Sequence, residues 1–319
     1  MNVFRATPRK IKEAGEIIKN GGLVAFPTET VYGLGADAMN SAAVAAIFEI
    51  KKRPHFDPLI VHIQSIGQLE ELAAKIPSMA FLLIEKFWPG PLTLVLKKRK
   101  AVPDLVTSGL PTVAVRMPHH PVALKLIKYA GTPIAAPSAN PFNYLSPTRA
   151  EHVWDQLGDH VDMILDGGAC QVGVESTVLD LSGKQPTLLR PGGLDLKDIE
   201  SIIGRVKVIS KAKRPHSPGQ MSFHYAPHAK LRLIRRGPYV IPDGKRIGYL
   251  AFDDFSSRDF EKIEILSKQG NLREAAARLF ECLHCLDRLN LDEIWAEEVP
   301  KIGLGLAIMD RLKKAAAKN

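Results

Sequence analysis

The sequence predicts an α/β protein: a larger domain on a mixed, strongly twisted sheet, followed by a smaller α/β domain. Three observations carry this. Short apolar runs of strand length alternate with amphipathic stretches of helical period from the first residues onward. The alternation has no fixed internal repeat, as expected where strands and helices interleave in one layered core. After residue 202 the texture changes, and residues 211–228 are rich in Pro, Ser, Gly, His and Lys with no apolar periodicity. The expected division is 1–204 for the first domain, 205–229 for an extended linker stiffened by Pro215, Pro218 and Pro227, and 230–319 for the second domain.

Each element follows from local pattern. Residues 10–19 place Ile11, Ala14, Ile17 and Ile18 on one helical face. Residues 22–26 read as a strand that Pro27 stops. Asn40 or Ser41 can cap a helix carrying Val44, Ile47 and Phe48. Residues 59–63 read as a buried strand, 69–87 as helical and 92–96 as a strand, with further strands at 112–115, 133–136, 163–165, 177–181 and 187–189. Helices are expected at 121–130 and 149–157, the second capped by Thr148. Beyond the linker come strands at 231–234 and 246–250, a helix at 272–289, a strand at 293–296 and a helix at 307–317.

Composition narrows the function classes. The 319 residues are 45% apolar and 24% charged, enough to bury two cores without disulfide or metal staples. Apolar runs such as 58–61 are too short to span a bilayer, and the first residues show no leader-like apolar segment, so a cytoplasmic protein with no membrane association is expected. Cys170, Cys282 and Cys285 are too few for a disulfide framework, and the Cys282–Cys285 pair, lying in a helical stretch, reads as buried helix-face thiols. Lys plus Arg is 43 against 34 acids, a net charge of +9. Residues 205–236 hold nine basic residues and no acid, so the excess is local and points to a polyanionic partner, nucleotide or nucleic acid.

The chemistry-bearing residues gather in loops after strands, where open α/β sheets bind ligands. Residues 27–38 hold Thr28, Thr30 and Tyr32 beside Gly33 and Gly35. The glycines formally fit a dinucleotide fingerprint, but Pro27 and the spacing from the strand speak against one, and the segment reads as a ligand loop. Lys51 and Arg53 end a helix just before Pro58 and the strand carrying His62. Ser138, Asn140 and Ser146 follow the strand at 133–136 and suit phosphate oxygens. Ser138 lacks the G-x-S-x-G surroundings of a hydrolase nucleophile. Thr112 and Arg116 share one strand, with Ser176 and Arg190 on later ones. Lys51, Arg53, Arg116 and Arg190 thus supply cations from separate segments, suited to phosphate or carboxylate. No P-loop sequence is present.

Together these residues resemble a known family. Lys51-x-Arg53 with Ser138-x-Asn140, the loop 27–35, the segments 58–62 and 88–93, and Arg190-Pro191-Gly192 are similar to the YrdC-type domain. Residues 217–220 and 224–227 of the linker, with Gly303-Leu304-Gly305 and Asp310-Arg311, resemble the long form of the threonylcarbamoyl-AMP synthases, so the likeness spans nearly the whole chain. It implies a YrdC-like domain followed by a Rossmann-like one, and the condensation of L-threonine, bicarbonate and ATP to threonylcarbamoyl-AMP and pyrophosphate. That product serves the threonylcarbamoyl modification of tRNA next to the anticodon. The resemblance implies threonine contacts at Thr30, His62, Arg116, Ala136 and Ser176. It implies ATP contacts at Arg53, Asp57, Thr112, Ser138, Asn140, Ser146, Arg190 and Tyr225, with Lys51 and Arg53 in catalytic roles. At Asp57 the family usually carries Asn, which puts that contact in doubt.

The implied cofactor is Mg²⁺ accompanying ATP, with no metal site of the protein's own. The implied partners are the downstream proteins that transfer threonylcarbamoyl to tRNA, and contact with tRNA or other double-stranded RNA. With these implied contacts, Lys51, Arg53 and Arg190 would form a phosphate clamp, and Tyr225, which the resemblance places at ATP, would reach the nucleotide only if residues 211–228 fold back as a lid. A non-catalytic RNA-binding protein would explain the charge but not Thr30, His62, Ser138 and Ser176. A carbamoyl-phosphate-using maturation enzyme of the same fold would need zinc-finger cysteines that three Cys cannot supply.

Overall fold

The computed structural model describes residues 2–209 and 223–317. Among these residues the first domain is built on a 12-stranded mixed sheet, and the second on a 4-stranded sheet whose strand pairs are all parallel. The middle of the large sheet brings strands Gly33–Asp37, Ile134–Ala135, Ile60–His62, Thr112–Arg116, Leu92–Lys98, Thr177–Asp180 and Thr187–Arg190 side by side. Ile60–His62 runs parallel to Thr112–Arg116 with His62 opposite Arg116, so two distant residues reach the same strand end.

Local chemistry explains the elements that position the site. Asn40 caps helix Ser41–Lys51, its side-chain oxygen accepting from the Ala42 and Ala43 amides at 3.0 and 3.2 Å. That helix ends at Lys52, whose φ of 50° turns the chain toward Arg53. Helix Pro8–Lys19 starts on Thr7 with proline at its first position, and buries Ile11, Ala14 and Ile18.

Several expectations are corrected. Residues 69–87 are not one helix: Ile66–Leu72 and Ser78–Phe87 flank a short strand, Ala73–Lys75, because Pro77 has no N–H to donate and holds Ile76 out of the helical region. Residues 27–38 are not all loop. Gly33–Asp37 is a strand antiparallel to Val24–Phe26, and its glycines serve packing: a Cβ on Gly35 would lie 2.7 Å from the Phe26 ring and 2.8 Å from Ile134. Thr148 does not cap the next helix. Arg149 occupies that position without a side-chain cap, and His152 Nδ1 instead accepts from the Thr148 amide at 3.3 Å. Strand Lys207–Val208 pairs with Thr187–Arg190, so the first sheet extends past the expected boundary at 204. Strand Lys262–Ile265, half-buried and weakly patterned, joins the second sheet unpredicted. Cys282 is buried, but Cys285 on the same helix is exposed. The expected lid and linker residues 210–222 lie outside the described residues.

The two domains share apolar packing. Val31, Leu145 and Val174 of the first domain belong to one buried cluster with Tyr225, Leu279, Phe280 and Ile308. Gly173, at φ +73°, meets helix Leu272–Asp287 so closely that a Cβ there would lie 2.4 Å from the Ala276 carbonyl oxygen and the Ala277 Cα. No helix among the described residues is long and apolar enough to cross a membrane.

Candidate active site

A cavity of about 50 Å³ opens where the strand ends of the first domain meet the strap that follows the linker. It is lined by Thr28, Thr30, Val31 and Gly33, by Arg53, Ile60, His62 and Arg116, by Ala136–Ser138, by Glu175, Ser176 and Arg190, and by His224 and Tyr225. Small-molecule pockets are commonly ~300–1,000 Å³, so the cavity is small, with room for a few water molecules.

One side of the cavity is built on Arg116. Its Nη1 donates to Thr30 Oγ1 at 2.8 Å, its Nε to the Gly90 carbonyl at 3.2 Å, and its Nη2 stands 2.7 Å from Glu29 Oε1. That last contact is an ion pair without hydrogen-bond alignment, so Nη2 keeps donors free for an incoming anion. Glu29 is fixed from behind by the His119 amide at 3.0 Å. Thr28 Oγ1 and Thr30 Oγ1 share a hydrogen bond of 2.8 Å, and Ser176 Oγ shares one of 2.7 Å with Thr93. His62 is buried beside Arg116. Burial and that positive charge push its pKa down to about 3, so the imidazole is neutral and its Nδ1 has no partner among the described residues.

Arg53 and Arg190 line the same cavity. Arg53 donates to the backbone carbonyls of Asp57 and Pro58 at 3.0 and 2.9 Å and pairs with the Asp57 carboxylate at 2.8 Å. Arg190 donates through Nε and Nη2 to the Ser176 carbonyl, at 3.2 and 2.9 Å. Glu175 accepts from Ser146 Oγ at 2.6 Å and from Arg311 Nε at 2.8 Å. Burial raises its pKa, but the charges of Arg311 and Arg190 and the two hydrogen bonds outweigh that and hold it at about 2. Tyr225 adopts φ 63°, a left-handed conformation a tyrosine keeps only where its surroundings hold it. The Arg311 guanidinium lies 5.2 Å from its ring centroid, the Phe280 ring is 5.7 Å away, and the Ala226 amide donates to the Asn143 carbonyl at 2.8 Å.

The structure therefore brings Thr30, Arg53, His62, Arg116, Ala136, Ser138, Ser176, Arg190 and Tyr225 to one cavity, and sets five other candidates behind or away from it. Lys51 does not present its charge there. Its Nζ donates to the Ser138 carbonyl at 2.6 Å and to that of Asn140, so it holds the loop that carries Ser138. Asn140 is buried and bonds the Pro141 and Tyr144 carbonyls at 2.9 and 3.0 Å. Ser146 is buried against Glu175. Asp57 is turned into the protein against Arg53, which removes the repulsion its charge would cause. Thr112 opens the strand whose last residue is Arg116, roughly 13 Å away at ~3.3 Å per residue.

Sequence reasoning assigned no site role to Glu29, Glu175 and Arg311. Arg311 alone left a signal, since it sits between Ala307 and Ala315 on the buried stripe of helix Gly305–Ala316. The basic window is partly neutralised: Arg232 faces Glu293 at 3.6 Å, Arg235 faces Glu298 at 3.4 Å, and Arg236 pairs with Glu297 and Asp253 at 2.5 and 2.6 Å.

Known proteins are similar to this chain over nearly its whole length. Residues 16–192 match a domain family described as "Telomere recombination", and residues 194–317 one described as "Threonylcarbamoyl-AMP synthase, C-terminal domain". The chain is similar to the threonylcarbamoyl-AMP synthase of Pyrococcus abyssi, 45% identical over 96% of this chain and 94% of that one. It is equally similar to that of Bacillus subtilis, 45% identical over 96% and 93%. The crystal structure of P. abyssi Sua5 complexed with L-threonine superimposes with a TM-score of 0.93 at 45% identity, covering 99% of this chain and 96% of that one.

Proposed function

The chain belongs to the threonylcarbamoyl-AMP synthase family, and from that premise we infer that the cavity joins L-threonine, bicarbonate and ATP into threonylcarbamoyl-adenylate, releasing pyrophosphate. The observation that carries this reading is one cavity lined both by Arg116, with its spare donors, and by the arginines Arg53 and Arg190. Threonine supplies a carboxylate for Arg116, and its hydroxyl and amine suit Thr30, Ser176 and the neutral His62. Bicarbonate and the amine condense to a carbamate, losing water. The carbamate oxygen then attacks the α-phosphorus of ATP and the bond to pyrophosphate breaks. The carbamate brings its own negative charge, so the step calls on the protein for orientation and cations rather than a general base.

Arg53 and Arg190 are proposed to hold the phosphates, with Ser138 and the backbone around Ala136 between the two substrates. Lys51, Asn140 and Ser146 act behind the cavity wall, and Thr112 and Asp57 would reach nucleotide only after rearrangement. Because His224 and Tyr225 line a cavity of about 50 Å³, they are proposed to move aside to admit adenylate-sized substrates. Glu29, Asp57 and Glu175 are each committed to an arginine, and among the described residues no three His, Cys, Asp or Glu side chains cluster to hold a metal. Magnesium is proposed as the counter-ion that ATP carries. A cytoplasmic location, contact with tRNA and delivery of the product to tRNA-modifying proteins belong to the same proposal. Pyrophosphate release should require threonine, bicarbonate and ATP together, and Arg53→Ala should abolish most of it; wild-type activity in that variant would remove Arg53 from the phosphate site.

A further inference from the structure

Arg311 belongs to the second domain, yet it is wholly buried against the cavity wall of the first. Its Nε donates to Glu175 Oε2 at 2.8 Å and its Nη1 to the Pro191 carbonyl at 2.9 Å. These contacts fall on the immediate neighbours of Ser176 and Arg190, the two cavity residues joined to each other by the Arg190–Ser176 hydrogen bonds. The remaining oxygen of Glu175 fixes Ser146 Oγ, whose own backbone carbonyl lies 3.2 Å from His284 Nε2, a second residue of the second domain. The guanidinium also stands over the Tyr225 ring, and Asp310 Oδ2 takes a hydrogen bond from Nη1 at 2.6 Å.

A clamp that only docked two domains would suit exposed surfaces, as Arg149–Glu281 and Arg288–Asp155 do here, with side chains 36–52% exposed. Gly192 explains why this wall tolerates no play. A Cβ there would lie 2.3 Å from the Glu175 carbonyl oxygen and the Ser176 carbonyl carbon, so the two segments are packed backbone to backbone.

We propose that Arg311 is a positioning residue of the catalytic cavity: it sets Ser176, Arg190 and Tyr225 through Glu175, Pro191 and the tyrosine ring, so the second domain completes a site the first cannot finish alone. This rests on the function proposed above. Glu175 is faced by Arg311, Arg190, Ser146 and Tyr225, and by His224 of the strap, while Asp310 faces Arg311 and Tyr225. Removing Arg311 takes away the largest charge that holds the carboxyl down and leaves Arg190 and Ser146 alone to oppose burial, so the Glu175 pKa rises.

The test is pyrophosphate release and calorimetric ATP binding by the full chain from pH 5 to 8. Arg311→Met should lose about 100-fold in kcat/KM, the effect of misplacing a site by about 1 Å. Its activity should fall toward the acid end of that range more steeply than the native enzyme's. Arg311→Lys should restore the native acid limb and part of the rate. The double variant Arg311→Met/Glu175→Gln strands no buried charge and should fold, remain slow and lose the acid limb, which keeps the test open should Arg311→Met fail to fold. A folded Arg311→Met or double variant with native turnover, native ATP affinity and an unmoved profile overturns the assignment. Absent turnover in the native chain would defeat the proposed function instead, and ATP affinity would then decide the role of Arg311 alone.

Discussion

Replacing Arg116 separates what holds the cavity from what binds in it. Arg116→Met removes the positive charge 2.7 Å from the buried Glu29 carboxylate and the donor 2.8 Å from Thr30 Oγ1. Stranding one partner of a buried ion pair costs about 3–5 kcal/mol, so this variant should melt well below the native protein. Arg116→Lys keeps a cation near Glu29 but not the planar fork. Losing one or two charge-assisted hydrogen bonds to the threonine carboxylate costs about 1.5–3 kcal/mol, or about 10- to 100-fold in threonine affinity. Thermal melts report the first effect. Pyrophosphate release titrated with threonine at saturating ATP and bicarbonate reports the second, with the ATP dependence nearly unchanged. A folded Arg116→Lys variant with native threonine KM would refute the placement of the carboxylate.

Other perturbations follow from the same geometry. His62, His152 and His284 are buried with pKa values pushed by burial down to about 3, about 2 and about 4, and His224 is lowered too. The unfolded chain therefore binds protons that the fold refuses below about pH 6.5, and stability is complete above that pH and falls progressively on acidification. Denaturant midpoints should drop between pH 7.5 and 5, and a flat series would contradict the burial of these rings. Gly173→Ala would drive a Cβ to 2.4 Å from helix Leu272–Asp287 at a φ of +73°; it should loosen domain docking, read as faster amide exchange along that helix. Lys51→Met leaves the Ser138 and Asn140 carbonyls without their shared donor, costing about 2–5 kcal/mol by melting; unchanged stability would return Lys51 to the phosphate site.

Legibility in the sequence tracked the range of the forces involved. Helix Ser41–Lys51 was visible because Asn40 and the Val44–Ile47–Phe48 face are local signals, and strands 112–116 and 187–190 because apolar runs of strand length announce them. Gly33–Asp37 was hidden, since its glycines answer to the Phe26 ring on the neighbouring strand and carry no strand propensity of their own. The cavity's outer residues were readable as polar side chains after strands. Its wall was not: Glu175 and Arg311 are separated by 135 intervening residues, and only tertiary packing makes them one buried pair. The same distance effect misread the charge. Arg232, Arg235 and Arg236 look like free cations along the chain but meet acids from the strand at 293–297 and its flanks in space.

The central claim is that this cavity builds a threonylcarbamoyl-adenylate. Incubating the protein with ATP, threonine and carbon-13 bicarbonate, followed by mass spectrometry, tests it most directly. An adenylate carrying one labelled carbon is expected, formed only when all three substrates are present and lost in Arg53→Ala. An adenylate without the label, or ATP cleavage that ignores threonine, would contradict it.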